Sequence, residues 1–305
     1  MDLNLVGQTA ALTTSCLWTF NSILFTEAGR RIGSVSVNAY RIVTAVAFLS
    51  VAHIALLGHL LPAAASEQWL WIGVSGIVGL GIGDFGLFAA FVIIGTRRSL
   101  LMMALSPIFA STAAFLLLGE TLSPLSSVGV AITLAGVVWV ILERGQETTE
   151  KPLSRRSRAW GFSLALIGAL GQGAGLAFAK KGIYYEAGMV LNPLSATLIR
   201  MVFGALFVWF AILVTGRTGE LRKALSNKRG IRYTTAGAFI GPFLGVTFSM
   251  VAVTFTQAGI AQTLMSLMPV LIIPVVWVVY GQKTGLRGAV GAIVAVTGVA
   301  MLLLA

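Results

Sequence analysis

The chain is 305 residues long, 57% apolar and only 10% charged, with a mean hydropathy of +0.92; that leaves too little polar surface to cover a core in water, which excludes a soluble globular protein. Its 21 Lys and Arg against 10 Asp and Glu give a net charge of +11, but the cations fall between apolar runs instead of gathering on one face with aromatics, which excludes a nucleic-acid binder. The single cysteine, Cys16, excludes an internal disulfide and, lying in an apolar run, reads as a core thiol.

At the start of the chain, Met1-Asp2-Leu3-Asn4 offers no basic segment ahead of the first apolar run, so that run is expected to be retained as a helix. A bilayer core about 30 Å thick needs roughly 20 apolar residues per helix. Ten such runs follow one another, near 4–25, 35–57, 68–94, 99–118, 124–142, 159–179, 191–214, 232–255, 259–280 and 286–304. They are continuous and lack the period-two alternation of a barrel strand, so the expected fold is an all-α polytopic membrane protein.

In chain order, the first span is unusually polar, with Gln8, Thr9, Thr13, Thr14, Ser15, Trp18 and Asn21. Such side chains line a cavity or, for Ser and Thr, bond their own backbone. The second span holds Arg41 and the third holds Asp84, inside Gly79-Leu80-Gly81-Ile82-Gly83-Asp84-Phe85-Gly86. That run matches G-x-G-x-x-G formally, but a dinucleotide fingerprint needs a preceding strand, so the glycines read as packing or hinge points. The fourth span carries Ser106 and Pro107, the latter expected to bend the helix at mid-span.

Residues 143–158 are polar and end in the basic cluster Arg155, Arg156 and Arg158, the one linker that separates two halves. The sixth span adds Gln172 and Lys180, and the seventh adds Arg200. The stretch 215–232 reads as an ordinary loop rather than a short interfacial helix at 220–225. The eighth and ninth spans contribute Gly241, Gly245, Phe248, Gln262, Ser266 and Pro269.

Of the 21 Lys and Arg, seventeen fall in the loops after spans one, three, five, seven and nine. Cations accumulate on the cytoplasmic side of short loops, so these loops are expected in the cytoplasm and both termini outside, in the inner (cell) membrane.

The halves repeat each other. Glu27-Ala28-Gly29 and Glu186-Ala187-Gly188 are each followed, twelve residues after the glycine, by Arg41 and Arg200. Gly79 and Gly83 match Gly241 and Gly245, Pro107 matches Pro269, Gly119 matches Gly281, and Gly129 and Gly136 match Gly291 and Gly298, every pair 162 residues apart. This divides the chain into a first repeat (1–142), a linker (143–158) and a second repeat (159–305). Five spans per half is an odd number, so the second repeat enters the membrane inverted, the arrangement from which transporters build two access states around a midplane site.

This layout resembles the drug/metabolite transporter superfamily, in particular its ten-helix EamA-type members. The resemblance rests on the five-plus-five pattern, the arginine in the second helix of each repeat, and Ala104-Leu105-Ser106-Pro107-Ile108-Phe109 leading to Leu118-Gly119-Glu120-Thr121-Leu122. The second half departs from it with Gly281-Gln282-Lys283-Thr284. The resemblance implies a central cavity surrounded by helices one to four and six to nine, with five and ten peripheral, and an efflux function.

Charged groups inside a span cost about 2.5–3.5 kcal/mol and usually face a bundle interior or a watery cavity. Helical rise brings Arg41 and Asp84 to similar depth, where they form either a structural ion pair or a switchable pair that takes up a proton or a cationic group. Arg200 lacks a matching acid, because the position equivalent to Asp84 is Val246. It bonds carbonyls at a broken helix, snorkels, or receives a substrate carboxylate.

The substrate and cavity candidates are therefore Gln8, Ser15, Trp18, Asn21, Arg41, Asp84, Phe85, Ser106, Gln172, Lys180, Arg200, Gln262 and Ser266. Trp71 and Phe248 are further candidates for its walls. The hinge candidates are Gly79, Gly83, Pro107, Gly241, Gly245 and Pro269. His53 and His59 have neither acid partners nor metal spacing, and no nucleophile motif or phosphate loop exists, so no enzyme, metal or cofactor is expected. The expected function is a secondary carrier exporting small metabolites, amino acids or amphipathic compounds, as monomer or homodimer, coupled to protons or a counter-substrate. The alternatives are a channel, a lipid scramblase or a non-transporting scaffold.

Overall fold

The computed structural model describes residues 2–143, 154–185, 189–280 and 285–305. Most of the linker (144–153), the Glu186-Ala187-Gly188 triplet and the Gly281-Gln282-Lys283-Thr284 run lie outside the described residues.

The first repeat runs α1 (Leu3–Ile32), α2 (Ser34–Leu57), α3 (Ser66–Ser75), α4 (Asp84–Ile94), α5 (Thr96–Met103), α6 (Ser106–Leu118) and α7 (Pro124–Glu143). The second runs α8 (Arg155–Ile183), α9 (Pro193–Val214), α10 (Thr218–Leu225), α11 (Lys228–Ala238), α12 (Val246–Phe255), α13 (Ala258–Met265), α14 (Met268–Tyr280) and α15 (Leu286–Leu304). A two-residue antiparallel pair, β1 (Tyr184–Tyr185) with β2 (Met189–Val190), follows α8 and is a small exception to the expected all-helical chain.

Nine segments among the described residues are long and apolar enough to cross a bilayer. They match the expected spans from the second onward; α1 is 30 residues long but too polar to qualify by composition. The polytopic all-helical class and its two repeats stand.

The third and eighth spans are not single regular helices. Residues Gly76–Gly83 and Phe239–Gly245 wind as π-helix, at matching places in the two repeats. In the second, Pro242 lacks the N–H that a regular turn would use; in the first, four glycines remove the side chains that would resist widening.

The matched prolines behave differently from expectation. Pro107 and Pro269 do not bend a continuous helix: α5 and α13 end before them, and each proline sits in the first turn of a new helix, α6 or α14. A missing N–H costs nothing there, because first-turn N–H groups have no intrahelical acceptor. The stretch expected as a loop contains the amphipathic helix α10 instead, which buries Leu221 and Ala224 and whose Leu221 carbonyl accepts from Tyr40 Oη at 2.9 Å. Cys16 is exposed on α1 rather than buried.

The repeats exchange their leading helices. α1 packs on α11, α12 and α13 of the second repeat, while α8 packs on α3, α4, α5 and α6 of the first. Glycines permit that approach: a Cβ at Gly171 of α8 would lie 2.7 Å from Gly83 Cα in the first π-stretch. α7 and α15 pack on each other, and a Cβ at Gly136 would meet Ala295 N at 2.3 Å. α7 is not wholly peripheral, since its Val137 and Ile141 reach the central cavity.

Candidate functional site

A cavity of about 500 Å³ lies between the repeats. Its lining runs from Ser106, Gln262 and Ser266, beside the α5–α6 and α13–α14 breaks, to Thr26, Ser34 and Phe91 near the loops after the first and third spans. It therefore reaches the end of the bundle that carries the odd-numbered loops. By area the wall is mainly apolar, formed by Trp, Phe, Met, Leu, Ile, Val and Pro side chains, and polar residues are spread along it from Ser106, Gln262 and Ser266 through Arg41, Asp84 and Gln172 to Thr26 and Ser34.

Asp84 is the first residue after the π-stretch, whose wider turn re-aims the side chains that follow it. Asp84 is 7% exposed, and its carboxylate accepts from Arg41 Nη2 on one oxygen and from Gln172 Nε2 on the other at 2.6 Å. Gln172 also donates to the Gly79 carbonyl at 3.3 Å. Arg41 donates through Nε to Asn38 Oδ1 at 2.8 Å, and its guanidinium lies 5.5 Å from the Phe88 ring and 5.7 Å from the Phe25 ring. So α2, α4 and α8 meet at one carboxylate, with aromatic faces shielding the cation. Deeper in, Gln262 Nε2 donates to Ser106 Oγ at 2.9 Å and links the repeats.

Of the sequence-derived candidates, Trp18, Asn21, Arg41, Asp84, Ser106, Gln172, Gln262 and Ser266 line this one cavity, with Gly241 and Pro269. Gln8 does not: it donates to the Leu302 carbonyl of α15 at 2.8 Å. Ser15 is buried beyond the lining, its Oγ unpartnered among the described residues. Phe85 is 56% exposed and turned outward, as is Phe248, while Trp71 stacks on Phe178 and carries Lys181 over its ring. Thr9 and Thr13 bond their own helix backbone.

Arg200 is 3% exposed, which rules out snorkelling. It lies against the first π-stretch, where a Cβ at Gly79 would sit 2.7 Å from its Nη2. Its Nε has no partner among the described residues. Gly83 lies in the same stretch, Pro107 sits in the first turn of α6, and Gly245 packs on Trp18. His53 is fully buried, bonded to Ser195 Oγ at 2.9 Å and to the His59 carbonyl at 2.6 Å, and joins α2 to α9.

Lys180 lies outside the cavity, at the even-loop end. It pairs with Glu120 and donates to the Thr256 carbonyl at 2.6 Å. Glu120 in turn accepts from the Ala258 N–H at 3.0 Å, at the start of α13. Thr256 Oγ1 donates to Asn4 Oδ1 at 2.6 Å, and Gln257 Nε2 donates to the Thr121 carbonyl at 3.0 Å. Sequence reading missed this cluster. Its one available signal was Gly119-Glu120, a charge at a helix end followed 60 residues later by Lys180 at the end of the sixth span.

A family model described as EamA-like transporter family matches residues 5–142 and 159–304. One solved crystal structure of a protein superposes with a TM-score of 0.72 at 18% identity, over 98% of this chain and 94% of the other, a likeness of fold. No curated protein matches the chain.

Proposed function

The chain belongs to the EamA-like transporter family, and from that premise we propose that it is a secondary carrier for small organic molecules that works by alternating access, with the cavity around Asp84 as its binding site. The observation that carries this reading is one-sidedness. The cavity reaches the odd-loop end of the bundle, while Glu120, Lys180 and Thr256 tie the opposite end. A channel needs a path through both ends at once.

The cavity volume of about 500 Å³ falls within the roughly 300–1,000 Å³ typical of small-molecule sites. Its largely apolar, aromatic wall suits amphipathic cargo, such as small metabolites or amino acids with apolar side chains. Asp84 is the group that exchanges charge: protonation, or arrival of a cationic cargo group, competes with Arg41 for the carboxylate and loosens the junction of α2, α4 and α8. The protein is an exporter in the inner membrane, with the odd-numbered loops in the cytoplasm, a reading supported by their Lys and Arg excess. It is not an enzyme.

Reconstitution into liposomes tests this. A panel of amino acids, nucleosides and lipophilic cations should contain a compound whose flux saturates and accelerates when the same compound, or a proton gradient, is placed on the opposite face. Asp84→Asn should abolish that acceleration while the protein still folds. Flux rising without saturation would mean a channel or scramblase, and no flux across the panel would favour a scaffold.

A further inference from the structure

The two ends of the bundle are related by the repeat, so groups in the even-loop tie have counterparts at the other end. Lys180 corresponds to Asn21, by the spacing of 159 that also relates Arg41 to Arg200. By the spacing of 162, Thr256 corresponds to Ile94 and Ala258 to Thr96, while the position matching Glu120 lies outside the described residues. The tie is ionic at one end, and among the described residues its counterparts at the other carry no charge.

In this structure the even-loop set is engaged. Glu120 and Lys180 have side chains 18% and 11% exposed and are joined to each other, to the start of α13 and to the end of α12. The counterpart of Lys180 is not engaged in the same way: Asn21 lines the open cavity, and its Oδ1 is buried without a partner among the described residues. A buried amide oxygen left unpaired is a group waiting for a donor.

We infer that Glu120 and Lys180 form an ionic latch on the even-loop end, and that the neutral counterpart at the odd-loop end makes the carrier rest open towards the odd loops. This rests on the alternating-access reading and adds its regulation: which face is open without cargo. When the latch opens, Lys180 gives up the Thr256 carbonyl and the Glu120 carboxylate together, so α8 separates from the α12–α13 junction and from the loop after α6. At the other end Asn21 moves to close over the junction between α4 and α5. Hydrogen bonds that carry a full charge are about twice as strong as neutral ones, so the ionic set holds the more populated closure.

The test reads access without needing a substrate, so an unidentified cargo or a failed flux assay leaves it intact. In a Cys16→Ser background, Ser266→Cys places one thiol on the cavity wall beside the α13–α14 break. Oriented proteoliposomes are treated with a membrane-impermeant maleimide on one face at a time. The parent should label from the odd-loop face. Glu120→Gln with Lys180→Asn, which gives the latch the amide chemistry of its counterpart, should raise labelling from the even-loop face roughly tenfold, an equilibrium change of about 1.4 kcal/mol.

The exchange Glu120→Lys with Lys180→Glu keeps an ion pair and should return labelling part of the way to the parent, whereas Glu120→Lys alone should give the most open even-loop face. Thermal unfolding run alongside identifies any variant that has simply lost its fold. Unchanged even-loop labelling in a folded Glu120→Gln, Lys180→Asn protein overturns the latch, as does a parent that labels mainly from the even-loop face.

Discussion

Arg41 and Arg200 occupy the same station in the two repeats and meet opposite fates. Arg41 lines the cavity, bonded to Asp84 and Asn38 and flanked by two phenyl rings. Arg200 is buried against a glycine-rich π-stretch with its Nε unpartnered among the described residues. The scaffold is duplicated but the acid is not, since Val246 stands where the second repeat would hold its aspartate. The one carboxylate is bonded to Arg41. Symmetry supplies the frame in which two access states can exist, and departures from it choose where the chemistry sits.

The largest break in that comparison comes from removing the shared acid. Asp84→Ala leaves the Arg41 guanidinium without its anion; breaking a buried pair in this way costs about 3–5 kcal/mol. Thermal unfolding in detergent should register that loss, and Asp84→Ala with Arg41→Ala should recover part of it.

Replacing each arginine in turn sharpens the contrast. Arg41→Met strips Asp84 of its ionic partner and should cost roughly 3 kcal/mol, whereas Arg200→Met removes no ion pair and should stay within about 1 kcal/mol of the parent. Equal losses in the two unfolding curves would mean that the stations are equivalent after all.

A smaller effect is expected at Gly79→Ala, whose Cβ would meet Arg200 Nη2 at 2.7 Å. The arginine must shift, at a cost of about 1 kcal/mol. Gly29→Ala, with nothing within 4 Å, should be silent in the same assay.

Least of all, Tyr184→Phe should cost about 0.5–1 kcal/mol by removing the hydroxyl that donates to the Thr254 carbonyl. Burial, and then the Glu120 carboxylate, raise the Tyr184 phenol above 10.0. The folded state thus holds this proton more tightly than the unfolded chain does. The stability linked to it is present below about pH 10 and fades as pH rises beyond that. Unfolding followed from pH 8 to 11 should lose that slope in Tyr184→Phe.

How much of this was legible in the residues depends on the length scale involved. Spans and repeats follow from runs of apolar side chains and from glycines at a fixed spacing, both local properties of the chain. The meeting of Arg41 with Asp84 was legible because helical rise alone brings them to one depth.

Gln172 completing that carboxylate, and Lys180 turning away to Glu120, were not legible. The two residues share α8, and which face of a helix meets which neighbour depends on the exchange of leading helices between repeats. Pro107 and Pro269 misled for a related reason: a proline inside an apolar run signals a bend and a restart equally well, and only the neighbouring turn at Ala104–Leu105 or Ser266–Leu267 decides it. The polar first helix invited a cavity reading throughout. Thr9 and Thr13 bond their own backbone instead, and Gln8 is spent on α15.

The central claim is that the two ends open in turn. Paired spin labels measure it directly: one pair at Ser34 and Phe91 across the cavity mouth, another at Thr121 and Met189 across the even-loop end, in lipid, with and without a transported compound. The compound should shift part of the population so that the first distance shortens while the second lengthens. Distances that stay fixed, or that grow at both ends together, would contradict it.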